Sequence, residues 1–87
     1  MSGDRELTLG ESRVGVRFNP SNDADIEEIK RQAARLIDTV QALPIPPGEQ
    51  EAARLRAVAM TEIEGAAMWA VKAAARASMA RNAARDD

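Results

Sequence analysis

The sequence predicts an all-α fold, an antiparallel two-helix hairpin with an extended or short helical N-terminal arm, which assembles into an oligomeric helical bundle. Two long segments carry apolar residues at spacings of three and four, and each begins with acidic residues. A proline-rich stretch over residues 44–47 separates them and cannot continue a helix. The 87 residues leave room for one small domain.

Residues 1–17 form the predicted N-terminal arm, a mixed and polar segment. Val14, Val16 and Phe18 alternate with more polar positions, which is the spacing of a strand. Because no second strand is evident in the sequence, we favour an extended arm. The predicted helical-hairpin domain then covers residues 18–80, and residues 81–87 form a polar tail.

The first long helix is predicted over about residues 22–43. Ser21 or Asn22 is the predicted N-cap, and acidic residues follow in the first turns, where the helix dipole favours negative charge. A single apolar stripe runs along this helix, which is typical of a helix packed on one side. Its members are Ile26, Ile29, Ala33, Leu36, Ile37 and Val40.

The second long helix is predicted over about residues 48–80. Alanine recurs at every seventh position, and small residues at that spacing let helix backbones approach closely. A second apolar stripe lies on the other flank; since one partner helix covers one stripe, two stripes indicate self-association. The alternative is that alanine is simply the best helix former. The alanine comb is Ala52, Ala59, Ala66, Ala73 and Ala80, and the second stripe is Val58, Met60, Ala67, Met68, Val71, Ala74 and Ala75.

The composition excludes several classes of function. The chain has no cysteine and no histidine, which excludes disulfides, thiolate or imidazole metal sites and catalysis by either residue. The net charge of −2 provides no overall field that would recruit nucleic acid or an anionic membrane. No export or membrane signal is evident, so we expect a cytoplasmic protein. Because the sequence has no phosphate-binding glycine loop and no nucleophile elbow, and because Glu62 and Glu64 face different sides of a helix, we also expect that it is not an enzyme and needs no cofactor.

Hairpin geometry predicts where a ligand would bind. With the turn centred near residue 46, residue i lies level with roughly residue 92 − i. Trp69 and Lys72 then meet the segment from Phe18 to Ser21 at the start of the first helix. Free backbone N–H groups, a cation and flat rings suit a small anionic ligand with rings, such as a nucleotide. The alternatives are a capping role for Ser21, core packing for Trp69 and a solvated face for Lys72.

Several strings of residues resemble one family of small phage helical-hairpin domains, which contains the anti-CBASS cyclic-nucleotide sponges and the related anti-Thoeris sponges. The resemblance covers roughly residues 13–76. Its first half is Arg17-Phe18-Asn19-Pro20-Ser21, Ile29-Lys30 and Leu36-Ile37-Asp38, and its second half is the stretch over residues 59–64 with Ala67-Met68-Trp69-Ala70-Val71-Lys72-Ala73.

The resemblance implies a protein that sequesters cyclic oligonucleotide second messengers without cleaving them, in the cytoplasm of an infected bacterial cell. It implies cyclic dinucleotides such as cyclic GMP-AMP as ligands, with cyclic triadenylate as a further candidate. It also implies a homohexamer, a trimer of dimers, with the dinucleotide sites between protomers. A tyrosine common in the family's arm is missing from this chain.

The resemblance also implies site residues. Lys30 matches the lysine of the family's Ile-Lys motif and is the expected phosphate contact. Phe18 and Asn19 are expected to line the base pocket, with Arg17 and Lys72 adding positive charge. Trp69 matches a family position and contacts either the ligand or the core.

Two other functions remain open at the level of the sequence. One is a helical protein–protein interaction module of phage origin that binds through Val58, Met60, Met68 and Val71. The other is a small DNA-associated phage protein, which the net charge of −2 disfavours.

Overall fold

The described part of the chain, residues 5–86, consists of three α-helices in a computed structural model, with side chains described for residues 5–85. Helix α1 spans Leu9–Val14, α2 spans Ala24–Gln41 and α3 spans Gln50–Asp86. No strand occurs between residues 5 and 86, which confirms the all-α hairpin. Residues 1–4 of the predicted arm and residue 87 of the predicted tail lie outside the described residues.

Helix α1 corresponds to the short helical form of the predicted arm, whereas the extended form that we favoured is wrong for residues 9–14. Thr8 and Glu11 form a capping box: Thr8 Oγ1 accepts from the Glu11 N–H at 3.1 Å, and Glu11 Oε1 accepts from the Thr8 N–H at 2.9 Å. The helix ends at Gly15, whose φ of 64° lies in the left-handed region that glycine adopts without strain. The Thr-x-x-Glu spacing was the sequence signal for this helix.

The N-cap of helix α2 lies one to two residues later than predicted, because Asp23 caps the helix instead of Ser21 or Asn22. The Asp23 carboxylate accepts from the N–H groups of Asp25 and Ile26 at 2.8 and 3.2 Å. The Asn19 side chain fixes the preceding turn, accepting from the Asp23 N–H at 3.2 Å and donating to the Asp23 carbonyl at 2.9 Å. Asp23 is therefore held in place to cap the helix.

Helix α3 continues to Asp86, so the residues predicted to form a polar tail are helical in their described part. Alanine and arginine dominate this end of the chain, and both are strong helix formers. With 37 residues α3 is about 55 Å long, whereas the 18 residues of α2 cover about 27 Å. Part of α3 therefore extends beyond its partner helix.

The buried core lies where α1 crosses the hairpin formed by α2 and α3. Gly10 of α1 packs directly against the α2 backbone, since a Cβ there would overlap the carbonyl oxygen of Ala34. The core cluster is small, which leaves other apolar side chains of α3 at the surface. Its buried members are Val14, Ala34, Ile37 and Ala67, and Val16, Ala33, Met60 and Ile63 pack against it.

The register of the hairpin differs from the predicted one by about two helical turns. Ile26 lines a groove with Val71 and Ala75, whereas the predicted register places it level with about residue 66. The cause lies in the connection over residues 42–49: Leu43 and Ile45 pack beside the first turns of α3, with Leu55 in the same cluster. The start of α3 thus packs against this loop before it reaches α2.

Candidate functional site

A buried lysine lies near the start of α2. Lys30 is only 5% exposed, and its Nζ donates to the carbonyl oxygen of Gly15 at 3.0 Å and to that of Phe18. The Phe18 ring centre lies 5.4 Å from the same nitrogen. Among the side chains of residues 5–85, Lys30 forms no ion pair. Its charge is therefore balanced by backbone dipoles and an aromatic ring, not by a carboxylate.

A groove opens beside Lys30 between the N-terminal segment and α3. Its volume is about 210 Å³, and the Phe18 side chain at its rim is 72% exposed. One wall is a loop, another is the first half of α2, and α3 contributes small apolar side chains. The lining residues are Phe18, Asn19, Pro20, Ser21, Ile26, Lys30, Val71 and Ala75.

The loop from Gly15 to Phe18 presents the two carbonyl groups that hold Lys30. The Phe18 N–H donates back to the Gly15 carbonyl at 2.9 Å, which closes a tight turn. The same carbonyl accepts from Lys30, because a carbonyl oxygen has two lone pairs. An ammonium has three N–H donors, so these two acceptors leave one donor for a further group.

Arg17 faces a second, more polar groove of about 500 Å³ on the other side of this loop. Its Nη2 donates to the Arg5 carbonyl at 3.0 Å. Asn19 lines both grooves, but its amide is already bonded to the Asp23 backbone. Asn19 therefore shapes the turn between the grooves.

The start of α2 differs from the predicted anion site of free N–H groups. The Asp23 carboxylate bonds the N–H groups of Asp25 and Ile26, and its negative charge opposes an anion at that position. Positive charge at this end of the hairpin comes from side chains instead.

Trp69 and Lys72 do not line the groove beside Phe18, contrary to the predicted register. Val71 and Ala75 occupy that part of α3. Trp69 is 72% exposed, so it does not fill the core of the chain, and Lys72 Nζ lies 5.5 Å from its ring centre. Within one chain this pair forms a separate exposed surface on α3.

Three long-range hydrogen bonds of the N-terminal segment were not foreseen from the sequence. The Gly10 N–H donates to Asp38 Oδ1 at 2.8 Å, and Arg13 Nε donates to Glu64 Oε1 at 2.8 Å. Arg13 Nη2 also donates to Thr61 Oγ1 at 3.2 Å. A single sequence carries no pairing signal for such contacts, since the partners lie far apart along the chain.

The charge of Glu11 is strongly stabilised at the start of α1. A side-chain hydrogen bond from Arg5, followed by the Thr8 backbone N–H, lowers the pKa of Glu11 to about 2. The Arg5–Glu11 pair is bidentate, with distances of 2.8 and 2.6 Å. This pair anchors the segment that precedes α1.

The side chains of residues 5–85 include no group of three or more acidic residues placed to share a metal ion. None of the described helices has the length and apolar character of a membrane span.

A family model described as Acb2/Tad1, hairpin domain, matches residues 11–75. The match takes in most of α1, all of α2 and most of α3. Neither the curated proteins nor the solved structures gave a match.

Proposed function

Because the chain belongs to the Acb2/Tad1 hairpin-domain family, the family of anti-CBASS and anti-Thoeris sponge proteins, we propose that it binds and sequesters cyclic oligonucleotide second messengers. The ligands are cyclic dinucleotides such as cyclic GMP-AMP, and cyclic triadenylate. Sequestration in the cytoplasm of the infected bacterium keeps the messenger from its immune effector.

The observation that carries this proposal is the buried ammonium of Lys30 beside the exposed ring of Phe18. Burying a cation without a carboxylate partner raises the free energy of the protein, and a bound phosphate group offsets that increase. The adjacent ring offers a face on which a base stacks. One groove therefore supplies both interactions that a nucleotide needs.

The size of the groove supports a site completed by a second copy. A volume of about 210 Å³ lies below the roughly 300 Å³ of the smallest usual ligand pockets. It accommodates part of a cyclic dinucleotide, with one phosphate near Lys30. A two-fold axis repeats the same half-site for the second nucleotide. Trp69 and Lys72, on the outer surface of α3, then reach the ligand from a neighbouring copy, and the assembly is a hexamer.

Binding without cleavage fits the chemistry of the groove. Among the side chains of residues 5–85, those that line it include no carboxylate and no imidazole that would act as a general base. The Ser21 hydroxyl lies 3.5 Å from Asn19 Oδ1, an amide oxygen that cannot activate it as a nucleophile. We therefore expect the ligand to be released intact.

Calorimetry with a panel of cyclic di- and trinucleotides tests the proposal. The wild type is expected to bind at least one of them, and mass spectrometry of the heat-denatured complex is expected to recover the unchanged ligand. Lys30→Gln is expected to weaken binding by about tenfold or more. Arg54→Gln, at the far end of α3 and paired with Glu51, is the charge-matched control. No heat with any member of the panel overturns the proposal.

The alternative is a protein–protein interaction module. The surface that the sequence suggested for it is not continuous in the structure. Met60 packs against the core and Val71 lines the groove with α2, so the four-residue stripe is not one exposed face. Val58 and Met68 remain exposed. A protein captured by the wild type and lost with Met68→Asp, without nucleotide binding, supports this alternative.

A further inference from the structure

The segment from Leu9 to Phe18, which we call the N-terminal strap, crosses the hairpin and is tied to it at three points. Near its start, the Gly10 N–H donates to Asp38 on α2. In its middle, Arg13 bonds Glu64 and Thr61 on α3. At its end, the carbonyl groups of Gly15 and Phe18 accept from Lys30.

The first tie permits little movement of α1. Gly10 lies so close to α2 that a side chain there would overlap the Ala34 carbonyl. Val14, one helical turn later, is 2% exposed in the core. The Asp38 carboxylate accepts from the Gly10 N–H at 2.8 Å and so fixes the position of α1 along α2.

The third tie depends on the other two. Both acceptors of the Lys30 ammonium belong to the strap, and no side chain of residues 5–85 forms an ion pair with it. The position of the strap therefore determines where the ammonium lies. A loose strap leaves the lysine free to move its charge into water, where hydration is more favourable.

We propose that Asp38 and Arg13 are positioning residues for the phosphate site: they do not touch the ligand, but dock the strap so that its carbonyl groups hold Lys30 at the groove. The inference rests on the proposed function for its ligand, and it adds residues that lie outside the groove. Without these ties the ammonium is no longer preorganised, and binding must order it again.

The chain offers a test that needs no ligand, because Lys30 and Lys72 are its only lysines. Lys30 is buried and Lys72 is exposed. Acylation with an amine-reactive acetyl ester, followed by peptide mass spectrometry, is expected to label Lys72 quickly and Lys30 slowly. Asp38→Ala is expected to speed labelling of Lys30 by about tenfold, with the rate at Lys72 unchanged.

Conservative and control variants separate positioning from general loosening. Asp38→Asn keeps an oxygen that accepts from the Gly10 N–H, so it is expected to restore slow labelling of Lys30. Arg56→Ala removes a comparable side-chain tie to the carbonyls of Gln41 and Leu43 at the other end of the hairpin. In Arg56→Ala, Lys30 is expected to be labelled at the wild-type rate. Arg13→Ala removes the second tie of the strap and tests it in the same way. Circular dichroism verifies that each variant is folded.

Calorimetry with cyclic GMP-AMP then connects the strap to binding. Asp38→Ala is expected to weaken affinity about tenfold, with Asp38→Asn near the wild-type value. The inference is overturned if Lys30 is labelled at the wild-type rate in folded Asp38→Ala and Arg13→Ala. It is also overturned if Lys30 is labelled faster in these variants but their affinity for cyclic GMP-AMP is unchanged. If the wild type binds no nucleotide, the proposed function fails, whereas the labelling rates still decide whether the strap holds Lys30.

Discussion

Lys30 Nζ lies 3.0 Å from the carbonyl oxygen of Gly15, fifteen residues earlier in the chain. This bond joins the start of α2 to the loop that ends the N-terminal strap. It explains how a lysine without an ion-pair partner within residues 5–85 remains buried, since carbonyl dipoles take the place of a carboxylate. The bond also fixes the cation beside the Phe18 ring.

Lys30→Met is expected to separate binding from folding. The unbranched methionine fills similar space, and the Gly15 carbonyl keeps its bond from the Phe18 N–H. Only the Phe18 carbonyl loses its donor, and removal of a buried charge offsets that loss, so the free energy of unfolding should change by about 1 kcal/mol or less. Urea unfolding measures this, and calorimetry is expected to show binding weakened by about tenfold or more. Wild-type affinity contradicts the role of Lys30.

Gly10→Ala and Gly65→Ala form a matched pair of substitutions. At residue 10 the added Cβ overlaps the Ala34 carbonyl, so α1 must shift, and we expect a loss of about 1–3 kcal/mol in the free energy of unfolding. At residue 65 an added Cβ meets no atom of the described residues within 4 Å beyond its own helix backbone, and alanine is expected to stabilise α3 by about 0.5–1 kcal/mol. Thermal unfolding of both variants measures the difference. Equal effects would mean that α1 does not pack closely on α2.

The low pKa of Glu11 predicts acid sensitivity of α1. Its folded pKa of about 2 lies below its ordinary value of 4.5, so the carboxylate stabilises the fold above pH 4.5. That contribution is lost as the pH falls from about 4.5 towards 2. Glu11→Gln is expected to flatten the pH dependence of unfolding in this window. Parallel wild-type and Glu11→Gln curves argue against the Arg5 pair.

The sequence predicted the two long helices and their order, because periodic apolar residues and three prolines act locally. Helix α1 was only the less favoured of the two forms predicted for the arm, since the Val14–Val16 alternation outweighed the Thr8–Glu11 capping box, which was the better local signal. The register failed for a non-local reason: Leu43 and Ile45 pack beside α3 and displace its start relative to α2. Because of this wrong register, Trp69 and Lys72 were expected beside Phe18, where the structure has Val71 and Ala75.

The residues that line the candidate groove could be named from the sequence only in part. The family strings pointed to Phe18, Asn19 and Lys30, which line one groove. The two ties of the strap, Gly10–Asp38 and Arg13–Glu64, join residues far apart in sequence, and no local pattern indicates them. The roles of these residues towards a ligand stay predictions.

Ala73→Glu tests assembly through the alanine comb. Ala66, Ala73 and Ala80 are exposed on α3 in the single chain, so they are free to contact another helix. A glutamate introduces bulk and charge at a close helix contact, and sedimentation is expected to show smaller species with helix content unchanged. Thr39→Glu, exposed on α2, carries the same charge as a control. An unchanged oligomer would place the interface elsewhere.

Trp69 provides the last prediction, because it is the only tryptophan and therefore the sole source of indole fluorescence. It is 72% exposed with Lys72 beside its ring, so Trp69→Phe is expected to change the free energy of unfolding of the single chain by about 0.5 kcal/mol or less. If a neighbouring copy brings Trp69 to the ligand, titration with cyclic GMP-AMP changes its emission. The titration is repeated with Lys30→Gln, which should abolish the change. Saturated binding without any change in emission would remove Trp69 from the site and leave Phe18 as the only ring for the bases.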